Sequence, residues 1–87
     1  MKTLAYKDGK DSIFLFEDDV IVKLYNDMTI VDFGNNNNLY IQECKDSNSV
    51  VHENVTPPQD WIPHKYFYDS SSSPKWLLNP DWIGSPE

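Results

Sequence analysis

Between Thr3 and His52 the apolar residues of this chain come in short bursts, interrupted by Asp, Asn or Gly about every eight residues. The bursts are Thr3–Lys7, Ser12–Glu17, Val20–Tyr25, Met28–Phe33 and Leu39–Cys44, with a weaker one at Ser49–His52. Stretches this short fall below the length of a self-sustaining helix and match antiparallel strands. They are rich in β-branched and aromatic residues, which suit a pleated, half-buried surface. Asp8-Gly9 and Asn26-Asp27 supply turns. Gly34 with Asn35–Asn38 reads as a five-residue connection, because Gly and Asn tolerate positive φ. The expectation is a mainly β fold, with an antiparallel meander of about five short strands over residues 1–55.

Alternation along each strand assigns its faces. Val20, Val22 and Leu24 share one side; Ile21, Lys23 and Tyr25 share the other. Met28 and Ile30 oppose Thr29, Val31 and Phe33, and Leu39 and Ile41 oppose Tyr40 and Gln42. Both faces carry apolar side chains, so an open sheet with one wet side does not fit. A cover must come from elsewhere in the chain or from a second subunit.

The last 32 residues differ in kind, for all six Pro and all three Trp lie there. Regular strands cannot continue through Pro57, Pro58 and Pro63. Ser70–Ser73 reads as an exposed loop tip. Pro74-Lys75-Trp76-Leu77-Leu78-Asn79 is followed by Pro80-Asp81-Trp82-Ile83-Gly84-Ser85, and Pro86 begins a third unit. Thr56–Pro63 is a looser copy. Thr56, Ser73 and Asn79 are N-cap residues, the Pro after each suits the first helical position, and Gly84 can end a turn. Residues 56–87 are therefore expected to form an irregular Trp/Pro-rich arm with one-turn helices, packed on the sheet within one domain. Trp61, Tyr66, Tyr68, Trp76 and Trp82 are its candidate partner-binding side chains, because Trp and Tyr dominate interface hot spots. Their competing role is to cover the core. Trp61, His64, Tyr66, Phe67 and Tyr68 also suit a carbohydrate-stacking groove.

The formal charge is -7, from fourteen carboxylates and seven cations, and every cation is Lys. Ten carboxylates and five Lys fall in residues 1–55, so the acidity is spread along the chain. Phosphate recognition favours Arg forks and basic surface, which argues against direct nucleic-acid binding. No apolar run exceeds four residues, so neither a signal peptide nor a membrane span is expected. The single cysteine, Cys44, points to a reducing, cytoplasmic setting. Without a secretion signal, the sequon Asn54-Val55-Thr56 is read as chance.

Chemistry is sparse. His52, Glu53, His64 and Cys44 lack metal-ligand spacing, and Cys44 with either His gives no sequence-level sign of a thiol catalyst. Cys44 is expected to be a small hydrophobe on the fifth strand. Glu17-Asp18-Asp19 reads as a hairpin turn, because it lacks the alternating oxygen ligands of a calcium loop. Gly9, Gly34 and Gly84 are too far apart for a phosphate loop. No enzyme activity and no cofactor are expected.

Over its whole length the chain resembles small uncharacterised acidic proteins of marine cyanophages. The resemblance rests on its compact acidic frame, turns such as Asn35–Asn38, the absence of Arg, and close aromatics such as Tyr66-Phe67-Tyr68. It carries no known activity, and implies a cytoplasm, that of an infected bacterium, or a virion. The functional expectation is a non-enzymatic interaction or structural module whose protein partner includes itself. The alternatives are an acidic nucleic-acid mimic that inhibits a host enzyme, and an aromatic-groove carbohydrate binder or enzyme.

Overall fold

The computed structural model describes residues 1–80 and Trp82, and among these it contains strands and turns but no helix. In chain order the strands are β1 (Lys2–Tyr6), β2 (Ser12–Phe16), β3 (Ile21–Leu24), β4 (Thr29–Gly34), β5 (Asn37–Ile41), β6 (Ser49–His52), β7 (Tyr66–Tyr68) and β8 (Trp76–Leu78). Every ladder is antiparallel. The mainly β expectation holds, but a single meander is not formed. The strands divide into sheets ordered β2-β1-β6, β3-β4-β5 and β7-β8.

The division follows from the two-faced hydrophobicity. One continuous sheet would leave an apolar face wet, whereas two short sheets facing each other bury one face of each. Glu17–Val20 makes the crossing, as a β-turn closed by Val20 N–H donating to Glu17 O at 3.1 Å. These carboxylates therefore mark a change of sheet, not a hairpin. The chain amino group pairs with Asp18 at 2.9 Å. Between the sheets lie Leu4, Ile13 and Phe16 from the first, Val31 and Ile41 from the second, and Val20 from the crossing turn. Leu4 and Val31 are fully buried. Removing such a side chain from water contributes about 1.5–3 kcal/mol.

Two local expectations are corrected. β4 and β5 are joined by two residues rather than five, Asn35 (φ 54) and Asn36 (φ 63), with Gly34 opposite Asn37. Consecutive positive φ values make the tight hairpin turn whose twist matches its strands, and Asn tolerates them. Cys44 lies in the loop after β5, not on the strand; it is buried in the core, and its carbonyl accepts from Thr29 Oγ1 at 2.8 Å.

The arm is corrected more deeply, because its one-turn helices are absent among the described residues. Trp61 N–H donates to Pro58 O at 3.2 Å and Lys65 N–H to Ile62 O at 3.1 Å, as isolated turns. The first Pro-Lys-Trp unit contains strand β8, paired with β7 through Tyr66↔Leu78, Phe67↔Leu77 and Tyr68↔Trp76. Trp76 meets Tyr68 edge-on at 4.8 Å and Tyr66 at 6.5 Å. Such cross-strand aromatic contacts favour a ladder over a single helical turn. Of the second unit only Pro80 and Trp82 are described, so Gly84 and Pro86 lie outside the described residues.

The arm meets the first sheet on the face away from the core, where Thr3, Ala5 and Ser12 are fully buried. His64 N–H donates to Ser12 O at 3.0 Å and Tyr68 N–H to Lys10 O at 3.0 Å. Trp61 Nε1 donates to Ser12 Oγ at 2.9 Å, Ser12 Oγ lies 2.6 Å from Thr3 Oγ1, and Thr3 Oγ1 donates to Phe14 O at 2.9 Å. Each hydroxyl has one proton, so the direction is fixed. Thr3 gives its proton to the carbonyl, Ser12 gives its own to Thr3, and the indole supplies Ser12. Ser12→Ala removes the link to both neighbours and is expected to cost about 2 kcal/mol; Trp61→Phe, which keeps a ring, is expected to cost about 1 kcal/mol. In urea denaturation the double variant should lose less than the sum of the singles, because both changes remove the same bond.

Candidate interaction surface

The five aromatic side chains picked out by sequence are engaged within the chain. Tyr68 is buried against His52 of β6, with ring centroids 4.7 Å apart. Trp61 is half-buried by its bond to Ser12. Trp76 and Tyr66 share an aromatic cluster with Tyr68, and the Tyr66 hydroxyl donates to Asp60 Oδ1 at 2.8 Å. Trp82 shares the Lys65 ammonium with Tyr66, at 5.0 Å from its own ring centre and 5.8 Å from that of Tyr66. The structure thus brings Tyr66, Tyr68 and Trp76 together, joins Trp82 to them through Lys65, and sets Trp61 at Ser12. His64, expected among the groove aromatics, instead pairs with Asp11 at 3.2 Å.

Where the β7–β8 loop meets β1 and β6 there is a groove of about 300 Å³, lined by Tyr6, Lys10, His52, Tyr68, Asp69 and Ser71 among others. Its polar groups are bound to one another. Asp69 Oδ2 pairs with Lys10 at 3.0 Å, and Asp69 Oδ1 accepts from the Ser71 hydroxyl at 2.7 Å and the Ser71 N–H at 3.0 Å. The Ser71 hydroxyl, then Lys10, hold the Asp69 carboxyl down at about 2. Burial pushes His52 below its ordinary value, against a smaller upward pull from Asp69. Among the described residues no three His, Cys, Asp or Glu side chains converge as metal ligands. Burial pushes the Cys44 thiol up, away from the reactive thiolate.

The outer face of β3-β4-β5 is different, because among the described residues nothing in the chain stacks on it. Pairing places Ile21 opposite Asp32, and Asp32 opposite Asn38. Lys23 stands opposite Ile30, and Ile30 opposite Tyr40. Ile21 is 49 % exposed and Tyr40 58 %, and Tyr25, which continues the same alternation beyond β3, is 43 % exposed. The partner-binding side chains expected from sequence lie in the arm, away from this surface. Its signal was present all the same, in the alternation of Ile21, Lys23 and Tyr25 against Val20, Val22 and Leu24. What the sequence withheld was which sheet the arm would cover.

No protein-family model, curated protein or solved structure matches this chain.

The groove contributes to the acid response of the fold. The unfolded chain protonates His52 near 6.5, above its value in the folded protein, so stability falls as the pH drops through and below 6.5. Asp69 acts lower, since its contribution is complete above 3.8 and is lost as the pH falls towards about 2. Urea midpoints measured across this range should fall in two stages. His52→Phe should flatten the upper stage, and Asp69→Asn should shrink the lower, to which Asp60, held down by its bonds from Lys65 and Tyr66, also contributes.

Proposed function

We propose that this protein is a non-enzymatic interaction module that associates with itself through the outer face of β3-β4-β5. The observation carrying this reading is the exposure of Ile21, Tyr25 and Tyr40 on one sheet face while the arm lies on the other sheet. A domain of this size has little core to stabilise it, and association is a common remedy. Three strands of four to six residues offer a small face, and interfaces below the ~800 Å² per partner of a standard one are of the weak, reversible kind.

The acidic-mimic reading has less support, since Asp18, Asp60 and Asp69 are each paired with a cation of the chain and Asp11 with the His64 ring. Sugar stacking also has less, because Tyr68 is buried and Trp61 is tied to Ser12. A cytoplasmic or virion setting fits a buried, free Cys44 thiol, and among the described residues no helix is long and apolar enough to cross a membrane.

Sedimentation of the wild-type chain at rising concentration should show reversible association. Tyr40→Glu should weaken it by ~10-fold, while leaving the urea stability within about 0.5 kcal/mol, as expected of an exposed position. Leu78→Glu, at a position 60 % exposed on the arm, should leave association unchanged. A strict monomer at ~1 mM would overturn the reading, as that is already generous for a weak contact. Loss of association in the Leu78 variant alone would move the contact to the arm.

A further inference from the structure

Resting on that self-association, we infer that the partner is a second copy seated face to face on β3-β4-β5 about a twofold axis, with Lys23 of each protomer paired to Asp32 of the other. The argument begins with the sheet's pleat. Ile21 on β3, Ile30 on β4 and Tyr40 on β5 form an apolar band that runs obliquely across the three strands. Lys23 lies on one side of this band and Asp32 on the other, about 8 Å apart on the standard spacings within and between strands. A twofold axis laid along the band, in the plane of the face, brings each apolar side chain close to its own counterpart. The same axis carries Lys23 of one copy over Asp32 of the other, twice per dimer. A twofold interface needs this kind of self-complementary patch.

The charge pattern selects a second copy over a foreign partner. The chain carries -7 overall, which opposes the approach of two copies. Yet Asp32 is the one carboxylate among the strand residues of this face, and Lys23 offsets it. Two acidic chains thus meet here on a locally neutral surface. Both groups are available. Among the described residues Lys23 has no ion-pair partner. Asp32 is exposed, and its one hydrogen bond places Gly34 N–H on Oδ1 at 2.8 Å, which leaves Oδ2 open. Because the axis runs obliquely to the strands, the strands of the two copies cross nearer a right angle than parallel, which is the orthogonal class of sheet packing.

The test is a charge exchange in the full chain, read by sedimentation alongside the wild type. Lys23→Asp places two carboxylates on the face, and Asp32→Lys places two ammonium groups. Each variant alone should associate at least ~10-fold more weakly, because like charges then meet across the axis. An equimolar mixture should regain association to within ~3-fold of wild type as a heterodimer, since every pair is again of opposite sign. The double variant should also dimerise with itself. Misfolding cannot mimic a mixture that associates when neither component does. If the wild type associates and the single variants do so equally well, self-association stands and this geometry falls, with pairing through another surface such as the β5 edge as its replacement. If the mixture stays as weak as its components, the Lys23–Asp32 pairing is likewise overturned. A monomeric wild type would remove this inference and the reading beneath it together.

Discussion

Strand β1 is paired on both edges and covered on both faces, and the rest of the molecule is arranged around that double burial. β2 and β6 occupy its edges. Leu4 points into the space between the sheets, while Thr3 and Ala5 lie under the arm, and all three are fully buried. A polar side chain in such a place is costly unless satisfied. Thr3 is tolerated because Phe14 O and Ser12 Oγ complete its hydrogen bonds, and Ser12 is tolerated because Trp61 completes its own. No buried side-chain nitrogen or oxygen lacks a partner among the described residues. The tie between arm and sheet is therefore a polar chain inside an apolar seam. Such a seam fixes one docking register more firmly than contact between apolar surfaces would.

The legible part of the fold was the part governed by local rules. Ser49–His52 was bounded correctly, and the first four strands were placed to within a residue or two, because period-two alternation and Asp or Asn breaks are properties of neighbouring residues. The failures share one cause. Whether β2 and β3 pair or part is decided by which apolar faces find cover, and that is a property of the whole chain. The β7–β8 hairpin was missed for the same reason. Pro74-Lys75-Trp76 has good capping chemistry for a helical turn, but Tyr66 and Tyr68, ten and eight residues upstream, supply ring contacts that outweigh it. Tertiary pairing overrode local propensity at Trp76 as it does at many short segments. At the candidate surface, the face was readable from alternation, but its exposure was not. Exposure depended on where Trp61 and Tyr68 would dock.

The two sheets have unequal surroundings, and this asymmetry connects the fold to the proposed function. The first sheet has the core on one side and the arm on the other. The second has the core on one side and solvent on the other, although Ile21, Ile30 and Tyr40 stand there. The arm cannot serve both. Its backbone is joined to the first sheet's β1–β2 hairpin through Lys10 and Ser12, and Asn79 N–H donates to Lys65 O at 2.9 Å, drawing the end of β8 back along β7. Its loop is held at the same side by the Lys10–Asp69 pair. The bonds to Lys10 and Ser12 fix the arm on the side remote from β3-β4-β5.

A chain that places its aromatic arm on one sheet and leaves the other bare is layered in one direction: arm, first sheet, core, second sheet. On the proposed twofold arrangement the order continues through the interface in reverse, and the bare face becomes the central layer of a longer stack. The charge distribution is consistent with that order. Asp11, Asp60 and Asp69 belong to the arm side, and Glu17, Asp18 and Asp19 to the crossing turn, so these six carboxylates would stay at the ends and rim of the stack in contact with water. Self-repulsion between two acidic chains is weakest when their carboxylates are far apart and screened, and ions of physiological salt screen beyond about 8 Å. The face with a single carboxylate and its own lysine is thus the surface by which two such chains approach at the least electrostatic cost.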